Sequence, residues 1–173
     1  ERVPWCETGY YLPNRWAFTF DPLFHAGGYY VQEASSMFLE QVIRRYVTGP
    51  VRCLDLCAAP GGKSTHVASL LPAGSLLVSN EVIRTRSQIL AENMAKWGYP
   101  QSIVTQNYPA DFAFLSHQFD LLVTDVPCSG EGMFRKESVA VTQYDQPLLD
   151  RCAALGAEIL ENAAAMLAPG GIL

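Results

Sequence analysis

The sequence predicts an α/β fold with a doubly wound parallel sheet. From residue 51 onward, apolar runs of strand length alternate with segments whose apolar residues recur at helical spacing. Strands and helices that alternate in this way form a parallel sheet with helices on its faces. Two of the apolar runs end in loops that carry small or reactive residues, at the sheet edge where open α/β sheets bind ligands.

Local patterns predict each element in chain order. Residues 1–33 are rich in aromatics, Gly and Pro without a sustained period, and they predict a loop-rich lead-in. The predicted helices cover residues 39–47, 62–71, 83–97 and 152–167, and the predicted strands cover residues 51–56, 75–80, 102–105 and 119–124. Pro169-Gly-Gly171 is predicted to stop the last helix, and a further strand is predicted to begin at Ile172.

The third helix, over residues 83–97, has the clearest periodicity. Ile83, Leu90, Met94 and Trp97 are predicted to share one face. Gly98-Tyr-Pro100 then ends the helix.

The composition indicates one folded domain with reduced cysteines. The 173 residues are 49% hydrophobic and 17% charged, which is typical of a globular chain. Five cysteines fit neither a disulfide framework nor a paired C-x-x-C zinc site, so we expect free thiols and a cytoplasmic protein. No apolar run approaches the ~18 residues of a membrane span, so we expect no membrane partner.

Charge and the chain ends set further expectations. The net charge of −5 argues against a nucleic-acid platform within these residues, because phosphate binding favours clustered Lys and Arg. The chain starts at Glu1 and stops as a strand begins, so we interpret it as a piece of a longer protein whose other parts can be basic. His25, His66 and His117 are scattered, so we expect no metal site, and we expect a monomer.

The most informative stretch is residues 55–64, Asp-Leu-Cys-Ala-Ala-Pro-Gly-Gly-Lys-Ser. It leads from a strand into a helix, so backbone N–H groups at the helix N-terminus face the crevice. The P-loop pattern G-x-x-x-x-G-K-[ST] fails because Cys57 stands where it needs Gly and Pro60 removes an N–H donor. The dinucleotide pattern G-x-G-x-x-G does not match either, because residues 57, 58 and 59 are Cys, Ala and Ala.

An acid after the next strand favours an adenosine ligand. Glu81 lies 19 residues after Gly62, and an acid there can accept hydrogen bonds from ribose hydroxyls. A cofactor without a pyrophosphate fits best, and S-adenosylmethionine is the obvious one. A tight turn with a solvated glutamate explains the same residues without a ligand, and the loop alone leaves both readings open.

The second loop carries an acid and a thiol. Asp125-Val-Pro-Cys128 follows the strand of residues 119–124, and Asp125 can hold the amino group or ring N–H of a heterocycle. A thiolate that adds to carbon 6 of a pyrimidine makes carbon 5 able to take a methyl group, which would make Cys128 a candidate nucleophile. Residues 131–136 mix an aromatic with two cations that can contact an unstacked base, although a solvated turn explains that stretch as well.

Two long motifs give this chain a family resemblance. Residues 55–63, Asp-Leu-Cys-Ala-Ala-Pro-Gly-Gly-Lys, and residues 125–136, Asp-Val-Pro-Cys-Ser-Gly-Glu-Gly-Met-Phe-Arg-Lys, resemble RNA 5-methylcytosine methyltransferases of the RsmB/RsmF family. Pro4-Trp-Cys6, residues 27–37 and the spacing of Glu81, Arg86 and Asn93 make the chain most similar to the bacterial RsmF-like branch that modifies 16S ribosomal RNA.

The resemblance implies a fold, a cofactor and site residues. The fold would be a Rossmann-like class I methyltransferase sheet, truncated before its later strands. The resemblance implies that the following residues bind S-adenosylmethionine: Cys57, Ala58, Ala59, Pro60, Gly61, Gly62, Lys63, Glu81, Arg86, Asn107 and Asp125. Asn107 stands where the family usually has an acidic contact, and Val126 stands where it usually has Ala.

The resemblance also assigns the chemistry. Asp125 would face the target cytosine and Cys128 would help release the methylated product, while a cysteine in a Thr-Cys pair on the next strand attacks the base. No Thr-Cys pair occurs in this chain, so we expect it to bind cofactor without methylating RNA.

The sequence therefore predicts two regions and leaves two functions open. Residues 1–49 would form the lead-in and a helix packed on the core, and residues 50–173 would form part of a methyltransferase domain. The leading function is methylation of cytosine C5 in ribosomal RNA, and the alternative is a non-catalytic RNA- or cofactor-binding module.

Overall fold

The computed structural model describes residues 1–14, 17–134 and 138–173. Within them, five parallel strands form one sheet in the order β3-β2-β1-β4-β5. The strands are β1 (Arg52–Asp55), β2 (Leu76–Asn80), β3 (Ser102–Thr105), β4 (Phe119–Val123) and β5 (Leu167–Ile172). The predicted α/β class and doubly wound sheet are confirmed.

The strand order creates one crevice. β1 pairs with β2 on one side, where Asp55 is opposite Ser79, and with β4 on the other, where Asp55 is opposite Val123. The order of connection reverses between β1 and β4. The carboxyl ends of these two strands are therefore where a doubly wound sheet binds its ligand.

Six helices lie within the described residues; four agree with the predicted periodicity except at some ends, and two short ones were not predicted. They are α1 (Pro22–His25), α2 (Leu39–Tyr46), α3 (Gly62–Leu70), α4 (Arg84–Trp97), α5 (Ser138–Gln143) and α6 (Gln146–Met166). Short 3-10 segments cover Phe18–Phe20, Ala34–Phe38, Pro109–Leu115 and Glu131–Met133. No helix within the described ranges is long and apolar enough to cross a membrane.

The two faces of the sheet pack two separate apolar clusters. Cys53 of β1 and Leu121 of β4 point toward α2, α3 and α4, where Val67 and Leu90 are fully buried. Leu54 of β1 points to the opposite face, against α6 and the Pro109–Leu115 segment. This alternation is what a strand buried on both faces requires.

The start of α6 differs from the prediction. The helix begins at Gln146 because the Asp145 side chain accepts a 2.7 Å hydrogen bond from the backbone N–H of Leu148 and Pro147 lies in the first turn. Apolar spacing alone placed the start at residue 152.

The final strand also starts earlier than predicted. β5 begins at Leu167, immediately after α6, and includes the Pro-Gly-Gly segment that was predicted to be a break before Ile172. Between the pairs Phe119–Leu167 and Leu121–Ile172, β5 contains more residues than β4. The register shift and the φ of +76° at Gly170 accommodate this difference. A bulged strand can thus contain residues that look like a helix stop.

Ile83 does not join the buried face of α4. It is the N-cap residue and is 52% exposed, whereas Leu90 and Met94 are buried as predicted. Its backbone N–H instead donates to Glu81, which places it in the loop after β2.

The lead-in is mostly irregular, as predicted, and is attached to the core. The indole N–H of Trp5 donates a 2.7 Å hydrogen bond to the carbonyl oxygen of Ala34. Val3, Cys6 and Met37 are buried together. This packing holds residues 1–11 beside α2.

Candidate active site

The loops after β1 and β4 meet at the crevice between these strands. The backbone N–H of Leu56 donates to the carbonyl oxygen of Val123, and that of Ala58 donates to the carbonyl oxygen of Asn80. Residues 56–58 are therefore anchored to β4 on one side and to β2 on the other. The following residues, up to Gly61, form the turn into α3, and Lys63 lies in the first turn of that helix.

Two glycines allow the backbone to turn and approach its neighbours closely. Gly61, the N-cap of α3, has a φ of +112°, where a side chain is strained. A Cβ on Gly62 would lie 2.8 Å from a ring carbon of Tyr30 and 3.0 Å from the amide oxygen of Gln32. Both positions thus require the small residues that the sequence places there.

Asp55, at the end of β1, is hydrogen-bonded to the first turn of α3. Its Oδ2 accepts a 2.6 Å hydrogen bond from the hydroxyl of Ser64 in the first turn of α3. Its Oδ1 is buried and has no hydrogen-bond partner among the described residues. Burial raises the pKa of this carboxyl to about 6.

Lys63 links the two loops. Its Nζ lies 2.7 Å from Oδ2 of Asp125, and the two side chains are 31% and 59% exposed. The pair brings together two residues that the sequence predicted to share a pocket. It also places a cation beside the acid that was predicted to face the target base.

Glu81 and Arg86 form the wall on the β2 side. Glu81 is buried, and its Oε1 accepts from the backbone N–H of Ile83 while its Oε2 lies 3.4 Å from Arg86. Arg86 also donates a 2.9 Å hydrogen bond to the carbonyl oxygen of Ala59. Arg86 therefore contacts both Glu81 and the first loop.

Cys57 is a neutral lining group. Burial, followed by the negative charges of Asp55, Glu81 and Asp125, raises the pKa of its thiol to about 11. A thiol with this pKa stays protonated at neutral pH and is a poor nucleophile. The three acids that act on it are the acids at the ends of β1, β2 and β4.

Cys128 lies in the open part of the second loop. Its side chain is exposed, whereas the neighbouring Ser129 is buried. A hydrogen bond from Ser129 lowers the pKa of Glu131, which keeps that carboxylate ionised. Of the predicted RNA-contacting stretch 131–136, the last two residues lie outside the described part.

The predicted site residues differ in exposure. Ala58, Ala59, Gly61, Gly62 and Glu81 are buried, Cys57, Lys63 and Asn107 are half-buried, and Pro60, Arg86, Asp125 and Cys128 are exposed. Asp125 and Cys128 are therefore accessible to a large substrate, whereas most of the first loop is covered by the rest of the chain.

Asn80 organises the site and was missed by the sequence reasoning. Its side-chain amide donates to the carbonyl oxygens of Leu56 and Asn107, and its Oδ1 accepts from the backbone N–H of Asn107 and the hydroxyl of Thr105. It thereby joins the ends of β1, β2 and β3. The only available signal was a polar residue at the end of an apolar strand.

The lead-in also contributes residues that were not predicted as site residues. Tyr30 and Gln32 pack against Gly62, so the segment before α2 covers the start of α3.

Asn93 of α4, another residue not predicted to contribute to the site, donates a 2.7 Å hydrogen bond to the carbonyl oxygen of Pro60. The first loop is therefore in contact with the neighbouring strands, with α4 and with the lead-in.

Comparison with known families identifies the chain. The family described as 16S rRNA methyltransferase RsmB/F matches residues 49–173. The chain belongs to this family. The N-terminal domain of 16S rRNA methyltransferase RsmF matches residues 1–34, so the lead-in and the core have family counterparts of their own.

Curated relatives agree over the full chain. The ribosomal RNA small subunit methyltransferase F of Pectobacterium atrosepticum is 33% identical over 100% of this chain and 37% of its own length. The protein of the same name from Aeromonas salmonicida is 36% identical over 100% of this chain and 38% of its own length. The chain thus spans less than two fifths of these relatives.

Solved structures agree on the fold. A methyltransferase homolog protein from Pyrococcus horikoshii has a TM-score of 0.78 and 27% identity, over 99% of this chain and 54% of that chain. NSun6 from Pyrococcus horikoshii with SFG has a TM-score of 0.73 and 23% identity, over 93% of this chain and 40% of that chain. The Rossmann-like class I methyltransferase fold predicted from the sequence is confirmed.

Proposed function

We propose that this chain is the cofactor-binding part of a protein that transfers a methyl group from S-adenosylmethionine to C5 of a cytosine in 16S ribosomal RNA. The observation that carries this proposal is the meeting of the Gly61-Gly62 turn, Glu81 and Asp125 at one crevice, joined by the Lys63–Asp125 pair. Membership of the RsmB/F family supports it. A ribosomal substrate implies a cytoplasmic location.

The residues at the crevice fit this cofactor. Gly61 and Gly62 let the turn pack closely against Leu90, Tyr30 and Gln32, and this packing would fix the backbone N–H groups at the start of α3 for contact with the cofactor. The unpartnered Oδ1 of Asp55 is an acceptor that can offset a nearby positive charge. Each carboxylate oxygen of Glu81 makes one contact and keeps a lone pair that can accept from a ribose hydroxyl.

The chain's residues would hold and orient the reactants. When bound, S-adenosylmethionine supplies an electrophilic methyl group on its sulfonium sulfur. Glu81 would fix the ribose, and Arg86 would keep Glu81 and the carbonyl of Ala59 in place. Asn107, held through its backbone by Asn80, is a half-buried amide that could contact the adenine side of the cofactor.

The second loop would act on the cytosine. Asp125 would accept a hydrogen bond from the exocyclic amino group, and Lys63 would orient this side chain. After C5 takes the methyl group, its proton must go to a base and the attacking sulfur must leave C6, which restores the aromatic ring. Cys128 would assist this release, because its exposed thiol follows Asp125 on the same loop.

The attacking cysteine is not among these residues. The family resemblance gives this role to a Thr-Cys pair, and no such pair occurs in the 173 residues. We expect this chain to bind S-adenosylmethionine but not to transfer its methyl group to 16S rRNA. Tritium transfer from labelled cofactor to a 16S transcript would contradict this expectation.

Calorimetric titration tests the cofactor assignment. We expect S-adenosylmethionine to bind this chain at one site, and we expect Glu81→Ala to weaken binding at least about tenfold, since a charge-assisted hydrogen bond contributes about 1.5–3 kcal/mol. Glu92→Ala is the control, because Glu92 is an exposed acid on α4. Equal affinity for the two variants would contradict the assignment, and tight binding of ATP instead would favour an NTPase.

A further inference from the structure

A second cluster of reactive side chains includes none of the predicted site residues. Cys6 of the lead-in, Glu40 of α2 and His66 of α3 bring their ligand atoms within 4.8 Å of one another. The sequence predicted isolated histidines, and His66 departs from that prediction. Sixty residues separate Cys6 from His66, so no local spacing could reveal the cluster.

The separations measured from His66 are close to those between ligands around one ion. Nε2 of His66 lies 3.1 Å from Oε2 of Glu40 and 3.9 Å from Sγ of Cys6. Zinc–ligand bonds of 2.0–2.3 Å at tetrahedral angles put neighbouring ligand atoms about 3.3–3.6 Å apart. Small side-chain shifts are enough to reach those values.

The surroundings prepare Glu40 to be a ligand. Its Oε1 accepts hydrogen bonds from the backbone N–H of Glu7 and from Nε of Arg44, which leaves Oε2 directed at His66. Arg44 in turn contacts Oε2 of Glu7 at 2.8 Å. Such outer contacts orient a metal ligand and fix its charge.

The net charge of this buried cluster favours a cation. The Cys6 residue is 5% exposed, and the side chains of Glu40 and His66 are 1% and 7% exposed. Glu7, Glu40 and Arg44 together carry one net negative charge, and a Cys6 thiolate would add a second. A divalent ion therefore neutralises the cluster, and sulfur with imidazole selects zinc over magnesium or calcium.

We propose that Cys6, Glu40 and His66 bind one Zn²⁺ ion, with water as the fourth ligand, and so fasten the lead-in to α2 and α3. On binding, the Cys6 S–H bond breaks, its proton passes to solvent, and a Zn–S bond forms. The role proposed for this ion is to hold segments of the chain together. It would hold the residues that follow, including Tyr30 and Gln32, over the start of α3.

Metal titration of the chelator-treated chain tests this proposal. We expect one equivalent of Zn²⁺ to bind with a rise in the melting temperature, and Co²⁺ to give the charge-transfer absorption of a thiolate ligand. Cys6→Ser and His66→Gln should each weaken Zn²⁺ binding at least about 100-fold, and Cys6→Ser should abolish the cobalt band. Arg44→Gln, which alters only the outer contact, should weaken binding about tenfold.

Cys152→Ser and His25→Gln are the matched controls. Both residues lie outside the cluster, so these variants should bind Zn²⁺ like the original chain. Circular dichroism establishes that each variant is folded, and His66→Gln can still donate to Glu40. Absence of stoichiometric zinc uptake, or uptake that survives both cluster variants, would overturn the proposal and leave a hydrogen-bonded cluster without metal.

Discussion

The Nζ of Lys63 lies 2.7 Å from Oδ2 of Asp125, across the point where the strand order of the sheet reverses. This ion pair connects the turn after β1 with the loop after β4. It makes one site of two motifs that are 62 residues apart in the chain.

Lys63→Gln should cost little stability. Both partners are substantially exposed, so we expect the unfolding free energy to fall by no more than about 1 kcal/mol. The difference should vanish in 1 M salt, where the screening length is about 3 Å. Urea unfolding at two salt concentrations measures both effects. A salt-independent loss above about 2 kcal/mol would contradict the view that the pair serves the site and not the fold.

Asp55 should make the chain more stable in mild acid. Its pKa is about 6 in the folded chain against an ordinary 3.8, because burial disfavours the charge. Between those values the folded chain holds a proton that the unfolded chain has lost, so the unfolding free energy falls as the pH rises. This contribution is fully present below pH 3.8 and is lost as the pH rises through about 6.

Asp55→Asn tests that contribution. We expect the variant to lack a component of about 2–3 kcal/mol in the pH dependence of urea unfolding. Asp120→Asn is the control of opposite sign. Arg52 lowers the pKa of Asp120, so the stability it provides is lost as the pH falls. An identical pH profile for Asp55→Asn and the original chain would refute the assignment.

Gly61→Ala should damage both stability and cofactor binding. A side chain is strained at a φ of +112°, and the new Cβ would lie 3.2 Å from Cδ1 of Leu90. We expect a loss of about 1–3 kcal/mol in urea unfolding and weaker binding of S-adenosylmethionine. Gly49→Ala, with no atom within 4 Å of the new Cβ, should stay within about 0.5 kcal/mol. Equal stability of the two variants would count against the strained turn.

Asn80→Ala should be among the most damaging single changes at the site. It leaves the backbone N–H of Asn107 and the buried carbonyl oxygen of Leu56 without their partner. Unsatisfied buried groups cost about 1–3 kcal/mol each, so we expect a total loss of about 2–4 kcal/mol by urea unfolding. Asn162→Ala, which removes one contact within α6, is the control. A loss below about 1 kcal/mol would show that Asn80 does not hold the strand ends together.

The sequence predicted the parts of the fold that depend on local patterns. Apolar runs located β1 to β4, and helical spacing located α2, α3 and α4. The predicted starts of α6 and β5 were wrong. A cap at Asp145 decides the first and a register shift against β4 accompanies the second, and neither changes the apolar period.

Motifs predicted some of the residues that lie together in the candidate site. Gly61, Gly62, Lys63 and Asp125 come from two recognisable loops, and the structure brings them to one crevice. Asn80 and the Cys6 cluster were not predictable, because their roles arise from contacts between segments that are distant in the chain. Only a folded chain reveals such contacts.

A crystal structure of this chain with S-adenosylhomocysteine tests the central claim most directly. We predict the nucleoside in the crevice between β1 and β4, with its ribose hydroxyls within hydrogen-bond distance of Glu81 and its sulfur on the side of Asp125. A nucleoside bound at any other place on the chain, with Glu81 still paired only to Arg86 and Ile83, would contradict it.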